Sequence, residues 1–363
     1  MIPQQENLIE LRHISKSFDG VKVLDDINLA IHQREFLTLL GSSGCGKTTI
    51  LRIIGGFESQ DSGEVYFHGQ EISDVPPNKR QLNTVFQKYA LFPHLNVFEN
   101  IAFGLRVKKL PSAEIKKRVT DMLELVNLSG FENRRVDLLS GGQQQRIAIA
   151  RSLVNEPEML LLDEPLGALD LKLRKEMQIE LKNIQQKLNI TFLYVTHDQE
   201  EALTMSDQIA VLRNGRILQI GEPKAIYDEP INAYVANFIG ESNILRGTMI
   251  EDELVEFAGR RFKCVDKGWG SNVPVDVVVR PEDLVIGEED RGQINGVVRS
   301  VIFKGIYYEM MVDCGTYVFK VQSTVMHPKD SRVSLSVIPF NIQIMKPDPE
   351  LPELLKEEGG IAE

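Results

Sequence analysis

Residues 41–48 read GSSGCGKT and meet the spacing G-x-x-x-x-G-K-[ST] through Gly41, Gly46, Lys47 and Thr48, with a further glycine at Gly44. The flanks constrain the fold. EFLTLL (Glu35–Leu40) is a short apolar run that suits a buried strand, and TTILRIIGG suits the start of a helix. In a strand–loop–helix unit the loop turns its N–H groups inward and adds the positive end of the helix, which makes an anion cradle. Lys47 then reaches the β- and γ-phosphates of a nucleotide and the Thr48 hydroxyl meets Mg2+, with Ser42, Ser43, Cys45 and Thr49 completing the loop. The same letters fit a plain surface turn. A phosphate loop alone also leaves kinase, GTPase, helicase and transport motor open.

The rest of the first half alternates strand-like and helix-like periods. SGEVYFHGQEI (Ser62–Ile72) alternates like one half-exposed strand, and RQLNTVFQ (Arg80–Gln87) reads as another ending on a polar residue. A helix is expected around Ser112–Leu128. MLLLDEP (Met159–Pro165) is a buried-strand signal, and Leu173, Met177, Leu181, Ile184 and Leu188 mark one face of an amphipathic helix. ITFLYVTHD (Ile190–Asp198) is a further strand. Such alternation predicts an α/β fold, a parallel sheet covered on both faces. From Ser242 the chain turns to short strand-like runs such as PVDVVV and RVSLSVIPFNIQIM, the pattern of a small barrel or sandwich.

A chain of 363 residues is comfortable for two domains. Its 41 Lys plus Arg against 52 Asp plus Glu leave −11, which disfavours nucleic acid as a partner. Cys45, Cys264 and Cys314 form no C-x-x-C pair, which argues for a reducing compartment and against a zinc site. MIPQQENLIELRH has no basic or apolar leader segment, and no apolar run approaches the ~18–20 residues that cross a bilayer. A membrane role needs another chain to supply the span.

Asp163 closes the apolar run MLLL, a placement suited to holding Mg2+ beside a phosphate loop. Glu164 follows, and a second carboxylate there reads as the general base or polariser for a water attacking the γ-phosphate, although the pair also spells a plain acidic strand end. LSGGQQQR (Leu139–Arg146) places Ser140, Gly141, Gly142 and Gln143 at the start of a helix whose Ile147, Ala150 and Val154 share a face. This is either an ordinary helix capped by Ser140 or a second anion site. The first loop already covers its own nucleotide, so a second site wants a phosphate from elsewhere, and another copy of the chain is the economical source. Cys45, at a helix N-terminus, is expected to have a lowered thiol pKa and to be inactivated by maleimide unless ATP protects it.

GSSGCGKT, Gln87, LSGGQ, LLLDEP, LGALD (Leu166–Asp170) and His197 stand in the order and spacing of ABC-transporter ATPase subunits, and residues 8–235 resemble that family. The resemblance implies a P-loop ABC ATPase domain over 1–238 with a helical signature subdomain about 88–156, working as a head-to-tail homodimer with ATP and Mg2+ between one subunit's phosphate loop and the other's signature. It implies that Ser140 and Gly142 contact the γ-phosphate in trans, that Gln87 senses Mg2+ and the lytic water, that His197 contacts the γ-phosphate, and that Asp170 lies in a loop crossing the interface. Phe18 matches the adenine-stacking position, although a lone Phe equally suits a core. Gly167 departs from the Ser that many relatives carry.

The region 239–348, with VVVRPEDL (Val277–Leu284), resembles the all-β, OB-like (TOBE-type) domain of importer ATPases of the maltose, glycerol-phosphate, iron and polyamine class, and 349–363 reads as an acidic tail. EALTMSDQIAV and FIGESNIL look most like the polyamine (spermidine/putrescine) importers, with ferric iron or a sugar as the alternative. The partners so implied are two membrane-spanning permease subunits and, indirectly, an external solute-binding protein, with this chain at the cytoplasmic face of the cell membrane. A coupling helix of the permease is expected near Tyr89, Leu91, Phe92 and Phe98, which equally suit a core. Soluble ABC ATPases usually carry two cassettes or a long coiled-coil insertion, and neither is visible.

Overall fold

The computed structural model describes residues 6–349, so the expected tail lies outside the described residues except for its first. β1 (Asn7–Phe18) and β2 (Val21–His32) pair antiparallel, and β3 (Phe36–Gly41), buried throughout, runs into the glycine loop and α1 (Lys47–Gly55). β4 (Ser62–Phe67) and β5 (Gln70–Glu71) fold back on each other where one strand was expected. His68 and Gly69 both take positive φ, 48° and 71°, and so form the two-residue turn of a hairpin. Without β3, the other four strands make a sheet of order β2-β1-β4-β5.

β6 (Leu82–Val85) leads to three helices, α2 (Val97–Val107), α3 (Ser112–Leu125) and α4 (Gly141–Leu153). The second of these stops short of Leu128, and Asn127, at φ 56°, turns the chain away. β7 (Met159–Asp163), α5 (Leu171–Leu188), β8 (Thr191–Thr196), α6 (Gln199–Met205), β9 (Gln208–Arg213) and β10 (Arg216–Gly221) complete the first unit. Its main sheet has the order β10-β9-β3-β8-β7-β6, parallel from β9 to β6 with β10 antiparallel at one edge.

The alternation of a strand divides the core. Phe36, Leu160, Leu162, Phe192 and Tyr194 pack with the helices α2 to α5 on one face, whereas Leu37, Leu39, Leu161, Leu193 and Val195 pack with α1 and the β1–β2 pair on the other. Both faces are covered, as the near-continuous apolar strands require. On α5, Met177, Leu181 and Ile184 are buried and Leu173 is partly so, while Leu188 lies exposed beside the Asn189 turn that ends the helix.

The chain divides into two compact units, 1–223 and 224–363. The second takes in α7 (Pro223–Asp228) and α8 (Ala233–Ile239), ahead of the boundary at 238 expected from sequence. Two antiparallel five-stranded sheets follow. β11 (Asn243–Glu251), β12 (Leu254–Phe257), β13 (Arg260–Lys263) and β14 (Val273–Val279) join the later β20 (Gln343–Met345) in the order β13-β12-β11-β14-β20. β15 (Val285–Glu288), β16 (Ile294–Phe303), β17 (Tyr308–Asp313), β18 (Val318–Ser323) and β19 (Arg332–Ser336) run β15-β19-β16-β17-β18. Val277, Val298, Met310, Phe319 and Leu335 from both sheets share one core. Among the described residues, no helix is long and apolar enough to cross a membrane.

Candidate active site

Four neighbouring parallel strands deliver the site at their carboxyl ends, the edge at which open α/β sheets place ligands. β3 opens into the phosphate loop, β6 is followed by Gln87, β7 ends at Asp163, and β8 is followed by His197. Gly46 caps α1 at φ 106°, and a Cβ there would lie 2.5 Å from the Leu24 side chain, so both backbone and space demand glycine. Lys47 is only 4% exposed, and its Nζ donates to the carbonyls of Gly41 (2.8 Å) and Ser42 (2.9 Å). The ammonium is thus folded along its own loop, where an anion entering the cradle would meet it.

Thr48 Oγ1 donates to Asp163 Oδ1 at 3.0 Å. Burial pushes the Asp163 carboxyl above its ordinary range, Thr48 opposing and the charge of Glu164 adding. A hydroxyl and a half-buried carboxylate side by side are hard oxygen donors that suit Mg2+ together with phosphate oxygens. Among the described residues no cluster of three or more His, Cys, Asp or Glu side chains offers a resident metal site.

Glu164 stands at φ 44°, its N–H donating to Val195 O at 3.0 Å. Its carboxylate is held on both oxygens: Gln87 Nε2 donates to Oε2 at 3.1 Å, and His197 Nδ1 lies 3.3 Å from Oε1. The phosphate loop, Gln87, Asp163, Glu164 and His197 therefore converge, as the motif order implies.

The other expected site residues make no hydrogen bond or ion pair with this cluster among the described residues. Ser140 caps α4 reciprocally with Gln143: Gln143 N donates to Ser140 Oγ (3.4 Å) and Ser140 N donates to Gln143 Oε1 (3.0 Å). Gly141 and Gly142 begin that helix, and Asp170 caps α5 by accepting from Leu173 N at 3.0 Å. Among the described residues no hydrogen bond or ion pair joins Ser140, Gly141, Gly142, Gln143 or Asp170 to the phosphate loop. Phe18 ends β1, 41% exposed as a residue, with Lys16 Nζ 5.0 Å from its ring centroid. Tyr89 is buried, whereas Leu91, Phe92 and Phe98 are half-buried.

The reactive-thiol expectation for Cys45 is overturned. The side chain is 3% exposed, and burial pushes the thiol above its ordinary pKa despite Lys47 Nζ at 3.7 Å from Sγ. Desolvation of a thiolate outweighs the field of the helix end here.

Sequence reading passed over Arg174, one turn into α5. Its guanidinium donates to Asp198 Oδ2 (3.1 Å) and Leu169 O (3.2 Å). The signal was a bare arginine four residues after Asp170, which on sequence alone is indistinguishable from a solvated helix face.

A model of the ABC transporter family matches residues 24–167, and one of the TOBE domain matches residues 277–337. Over 341 residues the chain is 62% identical to the spermidine/putrescine import ATP-binding protein PotA of Clostridium novyi, spanning 94% of this chain and 98% of that protein. The protein of the same name from Desulfitobacterium hafniense is 60% identical with the same coverage. Among solved structures, cbiO1 of Clostridium perfringens, part of the ABC transporter complex cbiONQ, aligns with a TM-score of 0.58 at 31% identity over 62% of this chain and 92% of that one. The ATP-binding cassette MJ0796, in a dimeric post-hydrolysis state bound to ADP and Pi, aligns with a TM-score of 0.54 at 32% identity over 59% and 98%.

Proposed function

We infer the function of this chain from one premise: it belongs to the ABC transporter family, as an ATP-binding subunit. We propose that it is the ATP-hydrolysing subunit of a polyamine importer, taking up spermidine or putrescine through partner permeases. The full-length identity to import proteins of that name supports the solute, and the doubly held carboxylate of Glu164 supports the chemistry.

Lys47 and the loop N–H groups would bind the triphosphate, and Thr48, Asp163 and Gln87 would hold Mg2+, which would supply charge neutralisation for the phosphates. Because Gln87 gives its amide N–H to Glu164, its amide oxygen is left for the cation. Glu164 takes the proton of the attacking water, its carboxylate fixed by Gln87 and His197. With Nδ1 against Glu164, His197 has Nε2 left to meet the γ-phosphate. That Ser140–Gln143 make no bond with this cluster among the described residues fits a head-to-tail homodimer in which a second copy closes each site. Asp170 lies in the loop expected to cross between copies, and Phe18, an exposed residue, offers its ring to adenine. Closure on ATP and reopening after hydrolysis drive two permease subunits at the cytoplasmic face of the membrane, and an external binding protein delivers the solute.

The test is affinity purification of the Glu164→Gln chain from detergent-solubilised native membranes with ATP and Mg2+. Slowed hydrolysis is expected to hold a closed dimer together with two polytopic membrane proteins. Reconstituted with the wild-type chain and their binding protein, those two proteins should show ATP hydrolysis stimulated by spermidine or putrescine and not by maltose or ferric iron. An intact ATP-dependent dimer carrying soluble partners alone would refute the transport reading.

A further inference from the structure

We propose that Arg174 is a positioning residue for hydrolysis, its single guanidinium keeping the loop that leaves Glu164 in register with the turn that carries His197. The inference rests on the reading of Glu164 and His197 given above. The loop from Glu164 to Asp170 is short and internally bonded, with Gly167 N donating to Glu164 O (3.3 Å) and Leu169 N to Leu166 O (3.1 Å). Its far end is gripped by Arg174, which donates to Leu169 O at 3.2 Å. The same guanidinium donates to Asp198 Oδ2 at 3.1 Å, immediately after His197.

The turn on which His197 sits is otherwise tied to the core. Asp198 N donates to Thr196 Oγ1 (3.0 Å), and Asp198 Oδ1 accepts from Glu201 N (3.2 Å). Glu201 is buried and accepts from Thr196 Oγ1 (2.5 Å) and Tyr194 Oη (2.8 Å). Arg174 Nε, buried and without a hydrogen-bond partner, lies 4.0 Å from Glu201 Oε1, so the cation also faces this carboxylate. Arg174 is thus the side chain that joins the two segments on either side of the 3.3 Å contact between His197 and Glu164. Without it the β7–β8 ladder and the Glu164 N–H bond to Val195 O still hold the two strand ends together, but the far end of the loop at Leu169 loses its tie to the turn at Asp198. A planar fork of donors can hold a carbonyl and a carboxylate at once, whereas an ammonium on a flexible stem holds them less well.

The test compares steady-state ATP hydrolysis of the full chain carrying Arg174→Gln, Arg174→Lys, Asp198→Asn and the Gln/Asn double substitution, with Glu164→Gln and His197→Ala alongside. Arg174→Gln should lower kcat by ~10- to 100-fold, the scale of a misplaced catalytic group. KM for ATP and the affinity for a fluorescent nucleotide should stay within about two-fold, because the phosphate loop is untouched. Arg174→Lys should recover part of kcat, and the double variant should be no slower than the slower single one. The proposal is overturned by a kcat within about two-fold of wild type, by a matching loss of nucleotide affinity, or by additive effects in the double variant. Should Arg174→Gln not fold, Asp198→Asn, which keeps the cap of α6, decides by the same criteria. Wild-type turnover in Glu164→Gln and His197→Ala would sink the underlying reading. Inactivity of those two beside full activity of the Arg174 and Asp198 variants would sink this inference alone.

Discussion

Glu164 occupies a left-handed backbone conformation, at φ 44°, that costs a residue other than glycine ~1–3 kcal/mol. Its N–H bond to Val195 O and the two partners of its carboxylate hold it there, which fixes the side chain where a base is needed. Nothing in the letters LLLDEP announces that strain, because it arises from the neighbouring strand. Cys45 makes the same point in reverse. A thiol beside a lysine at a helix start reads as reactive, but the sequence does not show that Gly41, Lys47 and the core shared by α1 and the β1–β2 pair close around it. With its thiol pushed above the ordinary value by burial, the thiolate is scarcer at neutral pH than in an exposed cysteine, and it grows as pH rises. Maleimide at pH 7 should therefore label Cys45 slowly in the native chain without ATP and completely after unfolding, as read by peptide mass spectrometry. Rapid native labelling at pH 7 would contradict the buried thiol.

At the scale of elements, the site is a property of strand order. Four carboxyl ends meet because β3, β8, β7 and β6 are neighbours, an arrangement that the alternation of strands and helices predicts in kind but not in order. The β4–β5 hairpin was missed because period-two alternation runs straight through the His68–Gly69 turn, and only φ distinguishes them. The helix α4 carries a sharper ambiguity. Ser140 satisfies both readings of LSGGQ, since its hydroxyl caps the helix and would also face a phosphate. Aspartate is as good an N-cap as serine, but its charge repels an anion. Ser140→Asp should therefore leave the melting temperature within about 2 °C of wild type. ATP-dependent dimerisation, followed by size exclusion in the Glu164→Gln background, should be lost, and in the native background hydrolysis with it. A dimer that persists would leave Ser140 as a cap and nothing more.

At the scale of the whole molecule, each of the two units has its own core and its own reporter. The chain's single tryptophan, Trp269, packs against the core of the second unit, while nucleotide binding reports on the first. In the second unit the motif VVVRPEDL was legible as a family mark, but the work of Arg280 was not. It is 1% exposed, lies over the Tyr227 ring at 4.1 Å, and donates to the carbonyls of Tyr227, Ala236 and Gly240 and to Ser242 Oγ. A single cation thereby ties α7 and the end of α8 to β14, beside the buried cluster that Ala233 and Ala236 of α8 form with Ile244, Val278 and Met345. Arg280→Met preserves much of the volume but strands those acceptors without donors, a loss of about 3 kcal/mol or more. The urea midpoint followed by Trp269 emission should fall by ~1 M or more. Binding of a fluorescent ATP analogue in the absence of urea should be unchanged, because every bond lost lies within residues 224–363. If nucleotide affinity fell together with the Trp269 midpoint, Arg280 would be acting on the first unit, and its role could not be confined to the second.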